Sequence, residues 1–378
     1  MDQTTVAKQP PLSEDPRYLT DQIITYLGNK RSLLGFIGTA VEQVQRELGK
    51  DRLDTVDLFS GSGVVSRYLK SCSRRLYSND LEPYCETIGR CYLANRSCVD
   101  MDGLQGFYDS LTRRLEGELE SGFISELYAP ADDTNIRHGE RVFYTARNAR
   151  YLDTARRELE GLPEPYKTYL LAPLLFEASV HTNTGGVFKG FYKNSETGLG
   201  QFGGNGKNAL DRIMADIKLR LPIFSRFECD IEVLREDANT LAPLLPEVDL
   251  VYMDPPYNQH PYGSNYFMLN LINNYRRPES ISCVSGIPKD WNKSQFNSKK
   301  ASRDSLLALC QSLRARYLLI SFSSDGFIGR EEMVDLVNGF GEVQVFDRRY
   351  NTFRGCRNLG NRDIHIKEHL FLIKTGLK

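Results

Sequence analysis

The 378-residue chain has no C-x-x-C spacing, no long apolar run and no excess of either charge. Each absence removes a class of function. The eight cysteines (72, 85, 91, 98, 229, 283, 310 and 356) lack the paired spacing of a zinc site and the pattern of a disulfide framework. Reduced thiols in a cytoplasmic protein are the simplest expectation, and no metal site is expected. No stretch approaches the ~20 apolar residues that a membrane helix needs. Met1 to Pro16 is polar and proline-containing, without the apolar segment of a signal peptide, so residues 1–20 read as a loose tail. A net charge of -1 and a pI of 6.6 give no bulk attraction to nucleic acid. Any such binding must rest on local basic patches. Internal repeats and low-complexity tracts are lacking too.

What is present is ordinary globular composition, 40% hydrophobic and 26% charged, with length enough for an α/β core plus a large insertion. Strand and helix patterns alternate at both ends of the chain. Thr55 to Phe59 reads as a strand, Val64 to Lys70 as a helix and Arg75 to Ser78 as a second strand. A helix carrying Ile88, Cys91, Tyr92 and Ala94 follows. The sheet resumes at Val248 to Met253, then at Tyr317 to Phe322, Val343 to Phe346 and His369 to Ile373. The last two read as an antiparallel closing hairpin. Between about Cys98 and Arg226 the alternation fails, giving way to helical segments and a glycine-rich run from Gly185 to Gly206. An inserted region is expected there.

The sharpest local signal is Asp254-Pro255-Pro256-Tyr257, directly after the apolar strand Val248 to Met253. Two prolines cannot continue a ladder, so the chain must leave the sheet there. An acid, rigid carbonyls and an aromatic ring are then displayed at a strand's carboxyl end, where α/β sheets bind ligands. That set suits a planar base with an exocyclic amine; a plain strand followed by a proline turn is the bland alternative.

Upstream, Asp57-Leu58-Phe59-Ser60-Gly61-Ser62-Gly63 occupies a strand-to-helix turn whose glycines permit close backbone approach. Asp80 closes the next strand, where a carboxylate accepts hydrogen bonds from ribose hydroxyls, or caps the following helix. Lys30 stands at the start of a helical run, so it needs an anionic partner, either a ligand carboxylate or a surface one.

Together these segments resemble the Dam-like (D12 class) DNA adenine-N6 methyltransferases. The matching pieces are YLGNKRSLL (Tyr26 to Leu34), DLFSGSG (Asp57 to Gly63), SNDLE (Ser78 to Glu82), EDA (Glu236 to Ala238) and DPPYNQHPYGSNY (Asp254 to Tyr266). SFSSDGFI (Ser321 to Ile328) and EHLFLI (Glu368 to Ile373) look like the later sheet segments. The middle is sparsely matched, His181 to Gly186 being its most family-like stretch.

The resemblance implies a Rossmann-like α/β fold, mostly parallel with an antiparallel terminal hairpin, that uses S-adenosyl-L-methionine. The catalytic domain would comprise 21–95 and 230–378, with 96–229 an inserted target-recognition region. Tyr26, Gly28, Asn29, Lys30, Phe59, Gly61, Ser62, Gly63, Asp80 and Ala238 would line the cofactor site. Asp57 would lie near the methionine end, and Asp237 would reach toward the adenine amine. Asp254, Pro255, Pro256 and Tyr257 would hold the target base. Double-stranded DNA is the expected partner, contacted by Arg147, Arg150, Lys189, Tyr262, Asn265, Arg349 and Arg354. Two arginine clusters (137, 141, 147, 150, 156 and 157; 348, 349, 354, 357 and 362) are candidates for phosphate contacts. Trp291 to Arg303 is expected to close over the target strand. A monomeric, bacterial or phage-encoded enzyme paired with a separate restriction endonuclease fits this picture.

Rival readings are methylation of cytosine N4 in DNA, of adenine in RNA or of a protein glutamine, or a catalytically silent DNA-binding relative. In such families serine usually marks cytosine enzymes, and asparagine glutamine enzymes, at the position of Asp254; the acid favours adenine. His365-Ile366-Lys367-Glu368-His369 matches an H-x-x-E-H metal spacing, but that motif needs a helix, whereas Leu370 to Ile373 reads as strand.

Overall fold

In the computed structural model, the described residues are 13–20, 24, 26, 28–204, 206–207, 209–351 and 365–376. Seven strands form one sheet: β1 (Leu53–Asp57), β2 (Ser73–Asn79), β3 (Asp230–Leu234), β4 (Val248–Met253), β5 (Ala315–Ser323), β6 (Gly341–Asn351) and β7 (His365–Thr375). Their order is β3-β2-β1-β4-β5-β7-β6. The first five run parallel, while β7 is antiparallel to both β5 and β6. This is the expected mostly parallel sheet with an antiparallel closing hairpin. Strand β7 inserts between β5 and β6, which seats its residues beside the central strands.

Burial explains which strands are easy to read. All six residues of β4 are buried, as are eight of the nine in β5, because helices cover both faces. The one acid inside β4, Asp249, is neutralised by Lys50 at 2.7 Å and accepts the Asp54 N–H at 2.9 Å. Strand β3 goes unread in the sequence for the opposite reason. It pairs only with β2, and its Asp-Ile-Glu-Val-Leu run is half exposed, as an edge strand is.

The helix Val64–Lys70 is as expected; Pro83–Tyr92 starts on a proline, which needs no N–H donor there. Between residues 96 and 229 the described residues form helices, the main ones Met101–Leu115, Ala146–Glu160 and Tyr166–Val180, and no strand. Their apolar faces share one core with Pro83–Tyr92 and with the helix Phe267–Asn274 that follows β4. Asn183 ties the glycine-rich run to this core. Its Nδ2 donates to Val142 O at 2.7 Å and Gln201 O at 2.8 Å, and its Oδ1 accepts the Gly203 N–H.

Candidate active site

The strand order reverses between β1 and β4, and in such sheets the crevice at that switch point is the ligand site. Four acids sit at or just beyond the carboxyl ends of neighbouring strands: Asp57 on β1, Asp80 after β2, Asp237 after β3 and Asp254 after β4. They line one cleft of about 880 Å³. Of the expected cofactor residues, Tyr26, Gly28, Asn29, Lys30, Asp57, Phe59, Gly61, Ser62, Asp80, Asp237 and Ala238 face this cleft. Gly63 does not; it stands one step deeper, capping the helix Val64–Lys70 with φ at 75°.

The glycine turn is held from two sides. Asp80 Oδ2 accepts the Gly61 N–H at 2.8 Å, and its Oδ1 accepts the Glu82 N–H at 3.0 Å. Glu82, rather than Asp80, is the N-cap residue of the following helix. Gly61 has φ of 52°, and a Cβ there would meet the Tyr26 ring at 2.9 Å. Tyr26 in turn packs against Tyr262 (ring centroids 5.0 Å apart) and Tyr266 (4.6 Å), which also stack on each other at 6.0 Å. Asp237 caps the turn Ala238–Leu241, accepting the Asn239 and Thr240 N–H groups. Both bonds use Oδ1, so capping does not consume Oδ2.

Asp57 is fully buried, with Oδ2 accepting from Ser66 at 2.6 Å and Oδ1 without any hydrogen-bond partner. Burial pushes its carboxyl up to about 7 against the Ser66 bond, and Asp254 and Asp80 add to the rise. Burial likewise raises Asp80. It lifts Glu82 to about 7, although Asn270 at 2.6 Å and Asn292 at 3.3 Å donate to Glu82 Oε2. Carboxyls raised by burial around one cleft mark it as the candidate functional site.

Lys30 meets two carboxylates of the chain itself: Nζ lies 3.1 Å from Asp254 Oδ1 and 2.9 Å from Glu368 Oε1. Lys30 is 3% exposed and Glu368 0%. Burial works against the Lys30 charge, but Asp254 and Glu368 outweigh it and hold the ammonium well above its usual range. Asp254 retains 18% of its side chain open, while its buried Oδ1 faces the Lys30 ammonium. Burial lifts its carboxyl to about 7, with Lys30 opposing and Glu368 adding. Pro256 lines the cleft while Pro255 is buried behind it. The Tyr257 ring packs on Phe322 at 5.7 Å, with the Lys30 ammonium 5.6 Å from its centroid.

Two residues expected at DNA stand at the cleft or beneath it: Tyr262 lines the cleft against Tyr26, and Asn265 is buried in the helix Tyr262–Asn265. The segment after Trp291 covers the cleft. Asn292, Ser294, Phe296 and Asn297 line it, with Phe296 edge-on to Phe59 at 5.2 Å. The first arginine cluster is divided. Arg156 is buried on Ile272 O and Glu160, Arg141 holds Ser282 O and Cys283 O, and Arg157 pairs with Glu120. Arg137, Arg150 and Lys189 are exposed, and Arg147 pairs with Asp216 at 2.7 Å. Arg349 is exposed on β6 opposite Lys367, whereas Arg354, Arg357 and Arg362 lie outside the described residues. In H-x-x-E-H, strand β7 turns Glu368 and His369 to opposite faces, Glu368 to Lys30 and His369 to Asp347.

Glu368 and Glu82 are site residues to which the motifs gave no role. The signal for Glu368 was an acid opening the otherwise apolar run Leu370 to Ile373.

A D12 class N6 adenine-specific DNA methyltransferase model matches residues 26–333. The Type II methyltransferase M.CviAII of Paramecium bursaria Chlorella virus 1 is 28% identical over 357 residues, covering 93% of this chain and 98% of that protein. The Type II methyltransferase M.NlaIII of Neisseria lactamica is 26% identical, covering 88% and 92%. M.FokI of Planomicrobium okeanokoites is 25% identical over 93% of this chain but 53% of its own. With the family model spanning β1 to β5 and the cleft at their carboxyl ends, the chain belongs to the D12 class N6 adenine-specific DNA methyltransferases, of the restriction-modification type.

Proposed function

We propose that the protein transfers a methyl group from S-adenosyl-L-methionine to the exocyclic amine of an adenine flipped out of duplex DNA. Methylation at one recognition sequence would protect host DNA from a cognate restriction endonuclease, with the enzyme acting as a cytoplasmic monomer. The observation that carries this reading is the Asp254 carboxylate. It is fixed at a proline corner on the edge of an acidic, glycine-floored cleft, with 18% of its side chain open and its Oδ1 facing the Lys30 ammonium at 3.1 Å.

The cleft fits the cofactor by its donor set. Asp57 presents an orphaned buried oxygen to a cationic group, and Asp80 offers acceptors beside the glycine turn for a ribose. Asp237 Oδ2 is suited to an adenine amine. When bound, the cofactor supplies an electrophilic sulfonium methyl. The chain's residues do the rest by positioning and electrostatics. An adenine amine is a poor nucleophile because its lone pair is delocalised into the ring. Asp254 and the Pro255 carbonyl accept its two hydrogens, favouring a pyramidal nitrogen whose lone pair is free to attack. Flipping costs a few kcal/mol, and stacking on Tyr257 returns about 1–3 kcal/mol. The helical region 96–229 would read sequence, with Arg137, Arg147, Arg150, Lys189 and Arg349 available for phosphates.

Single-molecule sequencing of DNA from a methylation-free host expressing the protein tests this directly. Adenine modification at one short sequence is expected; modified cytosine, or unmodified DNA from a folded protein, would refute it.

Cofactor binding carries its own pH signature. Asp57 and Glu82 are both raised to about 7 in the free protein. A cation in the cleft favours their ionised forms, so binding expels protons below pH 7. Affinity is expected to rise as pH climbs from 6 to 8, by about tenfold per group. The demethylated product, whose sulfur is uncharged, should show a smaller rise by calorimetry. Equal pH dependence for both ligands would refute the role given to the carboxylates.

A further inference from the structure

Glu368 lies outside the matched span 26–333, yet it reaches the reactive corner of the cleft. Strand β7 places it beside β5, where Ser321 Oγ donates to its Oε1 at 2.5 Å. That oxygen also meets the Lys30 ammonium at 2.9 Å, leaving Lys30 between two carboxylates. We propose that Glu368 is a positioning residue for methyl transfer: by sharing the Lys30 ammonium, it leaves the Asp254 carboxylate free to accept the target amine. This inference rests on the methyl-transfer reading above.

A buried carboxylate that takes the whole of an ammonium spends its accepting strength on it. With two acids sharing Lys30, neither holds the ammonium alone: Nζ stands 3.1 Å from Asp254 Oδ1 and 2.9 Å from Glu368 Oε1, and Asp254 keeps 18% of its side chain open. Other groups around Asp254 do not substitute for Glu368. Asp57 on β1 is a further carboxyl lining the same cleft, burial raises the Tyr252 and Tyr262 phenols well above their usual range, and Tyr257 meets Lys30 through its ring face. The single cation facing Asp254 among the described residues is Lys30.

The test is Glu368→Gln, which keeps size and a hydrogen-bonding oxygen for Ser321 but removes the charge. Lys30 then leans on Asp254 alone. Two linked effects are expected in single-turnover methyl transfer at saturating DNA and cofactor. The plateau rate falls about tenfold, because a more stabilised carboxylate is a weaker acceptor. The acidic limb of the pH–rate profile moves about one unit toward lower pH, because a like charge beside Asp254 is gone. KM for DNA changes little, and Glu368→Asp recovers most of the rate and returns the limb toward the wild type.

A lower rate with an unmoved limb would mean a merely structural role and overturn the proposal, as would an unchanged rate. If Glu368→Gln fails to bind cofactor because it has not folded, Ser321→Ala serves instead. It frees Glu368 from its hydroxyl donor, so Glu368 draws Lys30 more strongly and the limb moves the other way; no movement overturns the proposal. The wild-type profile is measured first. A wild type that modifies no adenine defeats the functional reading, whereas failure of the variants alone defeats only this inference.

Discussion

Asp254→Ala is expected to lower methyl transfer by more than about 10³-fold while leaving the protein folded and cofactor affinity nearly unchanged. The size follows from what the carboxylate does. It is the charged acceptor for an amine that has no nucleophilicity until its hydrogens are drawn aside, and such groups contribute about 10²–10⁴-fold. Retained folding follows from the neighbour across Lys30. Removing Asp254 still leaves the ammonium 2.9 Å from Glu368, so no bare charge is stranded in the interior. Retained cofactor affinity follows from the cleft's layout, in which Asp57, Asp80 and the glycine turn stand on β1 and β2 rather than on the proline corner. Radioactive methyl transfer on unmethylated DNA, with calorimetric cofactor binding alongside, reads both halves. Near-normal turnover would remove Asp254 from the reaction. A parallel collapse of cofactor affinity would place it in the cofactor's own site.

The parts of this site that were legible in the sequence are those whose geometry is local. A strand followed by two prolines, and a strand followed by G-S-G, dictate where Asp254 and Gly61 must sit, because backbone sterics act over a few residues. Buried strands such as β4 and β5 announce themselves by unbroken apolar runs. The edge strand β3 does not, since one neighbour and half exposure leave room for Asp230 and Glu232. Side-chain destinations were harder. Arg156 and Arg150 are both helix arginines in one cluster, yet one is buried on main-chain carbonyls of the helix Phe267–Asn274 and the other faces water. Periodicity alone does not separate them when the partner helix is distant in sequence. The same holds for Tyr262, whose inward turn depends on stacking with Tyr26, and for Glu368, whose partner Lys30 lies at the other end of the chain.

Lys30→Met is expected to destabilise the fold by about 3–5 kcal/mol at pH 8, the range found when one member of a buried ion pair is removed. Methionine fills the volume of the stem but leaves Asp254 and Glu368 facing each other without a cation. With Lys30 3% and Glu368 0% exposed, water cannot screen them. The sign with pH is opposite to ordinary acid denaturation. Without Lys30, the burial that already lifts Asp254 acts unopposed and holds its folded-state carboxyl above its unfolded value near 4. Between those limits the folded state binds protons that the unfolded chain does not, so stability falls as pH rises. The deficit should therefore be largest at alkaline pH and shrink as pH drops toward 5, where protonation relieves the repulsion. Urea unfolding of wild type and variant at pH 5.5 and 8.5 gives the comparison directly. The double variant Lys30→Met/Glu368→Gln should recover a large part of the loss at pH 8.5, because one of the two uncompensated charges is gone. A deficit independent of pH, or undiminished in the double variant, would mean that Lys30 supports the fold through packing rather than through the charge it divides between two acids.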